Sequence, residues 1–499
     1  MILRVGKGFT TKPVFRITEG SRELKYIVLS EENRERIHLE SLRVLAEVGV
    51  RFHSKLVLRQ LELAGARIDY QNSLARIDRS MVEQALKTAP KEFTLGARNK
   101  DYDFVMPSAY TAYTLDGTAS FAVDFESGQK RYGTTKDIEL GSRVFENIEL
   151  GMINWPPVIA SDAPKSSRVL YEFLTALKHS SKHIQHELHR PEEVPYLIEA
   201  MKCILGGSEE EVKERKICSV CYCPVAPLTH EGPMSEACLD LLAYQVPVLI
   251  LPMPACGSTG PAGLFSNIYL ANAEALSTLV LFQIIKPGSP QIYGAASGTM
   301  DFKTGNFLEG SPEMVIQTAA MGEMARYYNL PNTQAGCLTD ARQPGPEAIM
   351  EKMITTLPLV LGGVDVVNGI GEIETSQLLV LEQIIIDEEI ARRCRRLACG
   401  IDFSEGKNLF DDLFKVGPGG HFLDRESTFR LCRDKEFYQP LLQDKIKIEE
   451  MQEGSKTDLY TRAREKVTEI LSGPVQNELS ETVKTKLDDI LIRATNDLI

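Results

Sequence analysis

Apolar positions along the chain fall into two alternating textures. Short runs dense in Val, Ile, Leu and aromatic residues recur at 120–125 (SFAVDF), 152–160 (MINWPPVIA), 183–188 (HIQHEL) and 216–224 (KICSVCYCP). They continue at 246–254 (VPVLILPMP), 290–297 (PQIYGAAS), 332–338 (NTQAGCL) and 364–371 (VDVVNGIG). Between them the period changes to that of a helix: in SSRVLYEFLTALKHS, Val169, Leu170, Phe173, Leu174 and Leu177 share one face. Eight strand–helix units at this pitch predict a parallel sheet closed into a (β/α)8 barrel. An open doubly wound sheet is the competing architecture, but no G-x-G-x-x-G follows the first strand candidate.

Helical extensions flank this rhythm. Ser30 is placed to cap a helix that begins with Glu31 and Glu32 and stops at Gly49, and a short helix is expected near 79–88. Beyond Pro440 the chain is charged and helical, with Val475, Leu479, Val483, Leu487 and Leu491 forming a stripe that needs a barrel or a second subunit to cover it. The resulting division is an extension at 1–118, a barrel at 119–405 and a C-terminal extension at 406–499.

Charge narrows the partners. Lys and Arg number 56 against 69 Asp and Glu, a net −13 without a long basic run, which argues against nucleic acid and anionic membranes. No signal-peptide core opens the chain and no run reads as a membrane span; ten scattered cysteines without framework spacing suit reduced thiols in a cytoplasm.

Candidate chemistry clusters where strands are expected to end. GCLTDAR places Asp340 and Arg342 just past one strand, and Glu372 and Glu374 follow another. Catalytic groups of barrels gather on that rim. Trp155 and Tyr293 also lie near strand ends, suited to an aromatic cage for a quaternary ammonium, with His186 at a strand mouth beside them. Two glycine-rich loops, ACGSTGPAG with Gly257, Ser258 and Gly260, and VGPGGHFL with Gly419, Gly420 and His421, allow close backbone approach by a flat ligand. Metal binding is not expected. HELH is not HExxH, Cys218 and Cys221 fall on opposite faces of a strand, and no second pair joins Cys221 and Cys223.

The blocks LAEVGVRF, DFESGQKRYGTTKD, SPEMVIQTAAMGEMARYYNLP, GCLTDARQPGPEAIMEK and VGPGGHFL followed by EFYQP resemble the trimethylamine methyltransferase family over nearly the whole chain. Membership would imply a corrinoid-dependent methyltransferase of methanogenic or acetogenic metabolism, homo-oligomeric, working with a cognate corrinoid protein. Archaeal members carry pyrrolysine near the position of Arg342; this chain has none. The resemblance therefore implies a quaternary substrate such as glycine betaine, proline betaine, carnitine or γ-butyrobetaine, and no zinc. On it, Asp340, Arg342 and Glu372 are expected at the chemistry, Trp155, Tyr293, His186 and Arg342 at the substrate, and the two glycine-rich loops at the corrinoid. A metal-dependent lyase or hydrolase, and a non-catalytic betaine-binding barrel, are the alternatives on the same fold.

Overall fold

The computed structural model describes residues 25–117, 119–434, 436–442 and 458–498. Eight parallel strands close into a barrel. In chain order they are β1 (Ala112–Leu115), β2 (Gly151–Asn154), β3 (His183–His186), β4 (Cys218–Tyr222), β5 (Val248–Ile250), β6 (Gln291–Ala295), β7 (Asn332–Ala335) and β8 (Val366–Ile370). The barrel closes where Val366 of β8 sits beside Ala112 of β1. Helices α1 (Thr135–Glu146), α2 (Arg168–His179), α3 (Val194–Leu205) and α4 (Gly232–Leu242) follow the first four strands; α5 (Leu264–Ile285), α6 (Pro312–Tyr327), α7 (Pro346–Leu361) and α8 (Leu381–Ala398) follow the rest. Every residue of the eight strands is buried, as expected where helices cover a parallel sheet on its outer side.

Two expectations are corrected. The first barrel strand is Ala112–Leu115, not the SFAVDF run. Phe121–Val123 pairs instead with Lys130–Tyr132 and Leu378–Leu379, in a small sheet completed by Glu372–Ile373 beyond the ends of β1 and β8. A short apolar run has no period that separates a barrel strand from a hairpin strand. Helix α5, 22 residues long, is apolar enough to span a membrane by length and composition, contrary to the sequence expectation. Most of it is buried against β5, β6 and the N-terminal helices, which explains an all-round apolar helix in a barrel.

The extensions form in part as their sequences dictate; Val475 and Leu479 of the expected C-terminal stripe lie between two helices, because Gly473 and Pro474 end the first, so only Val483, Leu487 and Leu491 share a helix. The Ser30 hydroxyl accepts the Asn33 amide at 3.2 Å, and Glu31–Arg43 continues through a π-turn to Gly49, whose φ of 85° ends it. Within DFESGQKRYGTTKD, the Arg131 guanidinium bridges Asp124 and both oxygens of Asp137, the residue that caps α1 in a box with Thr134. That block fixes the start of a barrel helix. Leu459–Ser472 packs on α8, and Glu481–Asp497 covers α3 with Leu487, Ile490, Leu491 and Ala494.

Candidate active site

Side-chain direction along the strands follows from what the outward residues touch. Tyr222 of β4 meets Phe282 of α5 edge-on with centroids 5.3 Å apart. His186 of β3 shares a 2.9 Å hydrogen bond through Nε2 with Glu172 of α2. Tyr293 of β6 donates its hydroxyl to Asn272 Oδ1 of α5 at 2.5 Å. Alternation then turns Gln185, Ser219 and Cys221 into the lumen. Asn154 joins them, because the Cβ side of Gly151 faces Phe145 of α1; so does Thr333, because Gln334 lies against Gly322 of α6. Both polar atoms of Asn154, Nε2 of Gln185 and Oγ1 of Thr333 are buried with no hydrogen-bond partner. Interiors seldom leave such groups unpaired, so these side chains are open to a ligand or to water in the lumen.

Where β1 and β8 end, three carboxyls converge. Asp116 follows β1, Glu372 follows β8, and Glu309 comes from the loop between β6 and α6; all are more than nine-tenths buried. The Ser376 hydroxyl lies 2.5 Å from Asp116 Oδ2 and 2.6 Å from Glu309 Oε2. A hydroxyl has one proton to donate, so one of these two carboxyls is itself protonated. Burial, then the charge of Asp116, pushes Glu309 up to about 8. Burial also raises Asp116, and burial with the charges of Asp116 and Glu309 lifts Glu372 well above the usual carboxylate range. Neither Glu372 oxygen has a hydrogen-bond partner; the Ala119 amide close to it is committed to the Pro157 carbonyl at 3.2 Å.

The surroundings hold this trio in place. Glu374, Thr375 and Ser376 are consecutive left-handed residues with φ of 56°, 56° and 54°, a strained turn that presents the Ser376 hydroxyl. Asp340 accepts the amides of Glu309 and Gly310 at 2.8 and 3.0 Å and the Thr375 hydroxyl at 2.9 Å, tying the β7 rim to both loops. Beneath, Lys352 of α7 is fully buried and donates to the Cys337 and Gly369 carbonyls and to Asp387 of α8, at 2.7, 3.0 and 2.8 Å. Just past β2, the Trp155 indole lies over Gly117, where an added Cβ would stand 2.2 Å from Nε1; its buried N–H has no partner. Carboxyls that cannot all ionise among themselves, beside a desolvated aromatic, are matched to a bulky cation.

The model of the family described as Trimethylamine methyltransferase (MTTB) matches residues 10–498. The chain belongs to the trimethylamine methyltransferase family. A glycine betaine methyltransferase of Desulfitobacterium hafniense is 30% identical over 476 residues, covering 93% of this chain and 96% of that protein. A trimethylamine methyltransferase of Methanosarcina barkeri is 29% identical, with 91% and 92% covered. The solved monomethylamine methyltransferase of Methanosarcina barkeri aligns over 94% of this chain and 89% of its own, at 11% identity and a TM-score of 0.48, too distant to add to the barrel seen directly.

In this methyltransferase the fold separates residues that the sequence grouped. Glu372 and Trp155 lie at the carboxyl-lined rim, whereas Glu374 turns outward and pairs with Lys130. His186 and Tyr293 point away from the lumen into the helical layer, because their positions in the pleat are outward ones. Asp340 is a loop cap and does not touch Arg342, which is exposed on the mouth loop without an ion pair among the described residues. Gly257, Ser258 and Gly260 form a loop after β5 at the mouth. Gly419, Gly420 and His421 belong to a segment anchored at the far end of α8 by Arg396 and Lys407, which both bond Glu436. Asp116, Glu309 and Ser376 were not anticipated. DG directly after the β-forming AYTL is the available signal, hidden once the SFAVDF run is read as the first strand.

A cavity of about 620 Å³ opens at the other face, where Thr111 precedes β1, Asn332 begins β7 and Asp365 precedes β8. It lies below the strand starts, away from the converging carboxyls, on the face of a barrel that serves stability.

Proposed function

We propose that the protein transfers a methyl group from a betaine-type quaternary amine to a corrinoid carried by a separate protein. The observation that carries this is the buried trio Asp116, Glu309 and Glu372, with both Glu372 oxygens unpartnered beside Trp155. A fixed cation there restores the ionised carboxyls and is held in turn. The relative named for glycine betaine supports the quaternary class; proline betaine, carnitine and γ-butyrobetaine share its chemistry.

The residues account for the step. A quaternary nitrogen keeps the electron pair of the broken C–N bond and departs as a neutral amine, so no side chain needs to deliver a proton. Asp116 and Glu372 orient the ammonium, the small sheet over β1 and β8 excludes water, and positioning does the rest. The corrinoid, when docked, supplies a cobalt(I) nucleophile to the methyl carbon. The mouth fits a flat ring at the loop after β5: a Cβ at Gly263 would meet nothing within 4 Å, and Phe302, 73% exposed, lies over Gly257. Gly257, Gly263 and Phe302 would border it. Ten unbridged cysteines support a cytoplasmic setting, and exposed Phe403, Phe410, Phe414, Phe429 and Phe437 support a homo-oligomer that covers them.

Supplying a betaine panel with reduced cobalamin tests the assignment, with methylcobalamin followed by absorbance and demethylated products by mass spectrometry. Demethylation of a betaine is expected. Use of trimethylamine alone, or binding of betaines without turnover, rejects it.

Binding should depend on pH with a definite sign. Glu309 keeps its proton up to about 8 in the free protein instead of its ordinary 4.5. A cation favours the ionised form, so binding releases protons and tightens as pH rises toward 8, then levels off. Calorimetry in buffers of different ionisation enthalpy reads the proton release directly; a flat profile from pH 6 to 9 contradicts it.

Arg342, free at the mouth, is placed to grip a betaine carboxylate through its two-pronged guanidinium. Arg342→Lys is expected to raise the Michaelis constant about tenfold for carboxylate-bearing substrates and to change choline, which has no carboxylate, far less. Equal effects on both make Arg342 a surface residue only.

A further inference from the structure

We propose that Cys221, Cys223 and Glu187 form a binding site for a thiolate-seeking divalent metal of the zinc class, at the mouth of the barrel between β3 and β4. Three observations carry it. The parallel register pairs Gln185 with Ser219 and His186 with Val220, so the next rung sets Glu187 beside Cys221. The pleat turns Cys221 and Cys223 to the same side, opposite Tyr222, whose ring is packed on α5. The ligand atoms of the three residues all lie within 4.8 Å of one another.

The geometry suits a tetrahedral ion. The two sulfurs are 3.6 Å apart. Two thiolates at about 2.3 Å from zinc in a tetrahedron stand about 3.8 Å apart. Sequence spacing alone supplied only a C-x-C pair, too few ligands for a site; the third comes from the neighbouring strand. A fourth position remains for water or for His189, whose Nε2 is 4.0 Å from Glu187 Oε2. Cys223 and Glu187 are half-buried, so an ion can enter from the mouth. Metal binding displaces the thiol protons. The site lies two strands or more from Asp116 and Glu372 in the barrel order.

The full-length protein, loaded with zinc and then desalted, should retain about one ion per chain by elemental analysis. Cobalt(II) in place of zinc should give a thiolate charge-transfer band together with the visible bands of a tetrahedral ion. Cys221→Ser and Cys223→Ser should lose both signals, and Glu187→Gln should weaken retention. Protection of the wild-type Cys223 thiol from a thiol reagent by zinc, reversed by a chelator, reads the site without any variant. Failure of the wild-type protein to retain zinc or to show the charge-transfer band overturns the proposal, as does retention unchanged in both serine variants. None of these readouts requires substrate turnover.

Discussion

Lys352→Met should cost about 3–5 kcal/mol of folding stability, because it strands a buried carboxylate and two carbonyls. Burial pulls the Lys352 ammonium toward losing its proton, but the Asp387 carboxylate holds the lysine above its ordinary value. Its ammonium joins the end of β7 at Cys337 to Gly369 of β8, while Asp387 Oδ2 also accepts the Gly371 amide at 2.8 Å and Oδ1 the Gln383 amide nitrogen at 2.7 Å. The denaturation midpoint reads the loss. The double variant Lys352→Met with Asp387→Leu should recover much of it, since an apolar pair of similar volume often matches a buried ion pair. A single variant as stable as the parent refutes the role given to this ammonium.

Glu372→Gln should weaken binding of a quaternary amine by about 2–5 kcal/mol, thirtyfold or more in Kd, through loss of one partner of a desolvated charge pair. The fold should be spared. The carboxyl makes no internal hydrogen bond, and its neutral isostere removes repulsion from Asp116 and Glu309. The variant should therefore be at least as resistant to unfolding as the parent while its affinity falls. Calorimetric titration with a betaine, beside a thermal melt, separates the two effects. Unchanged affinity places the ammonium elsewhere in the lumen.

The barrel was legible because its pattern is redundant. Seven of its strands fall on the runs at 152–160 through 364–371, and α2 buries the five apolar residues its period selects. The proposed site is legible only where chemistry and strand end coincide in sequence, as at Glu372 and Trp155. Asp116 is hidden in sequence because the SFAVDF run reads as the first strand, and Glu309 because it lies in a loop that returns over the mouth. His186 and Tyr293 were misplaced for a different reason: a strand-end position does not fix a face until one neighbour is seen to pack outward.

Local physics read from sequence determined the Ser30 cap, the stop at Gly49, the strand–helix alternation and the acidic balance, because each depends on residues a few positions apart. Only the tertiary structure decided which carboxyls share a site. Asp116, Glu309 and Glu372 come from three separate stretches of chain, and their raised proton affinities arise from burial, joined at Glu309 and Glu372 by the charge of neighbouring carboxyls, that exists only once the barrel closes. The same holds for Glu187 beside Cys221, a contact set by the register between β3 and β4. Register is a property of two paired strands, and no single segment encodes it.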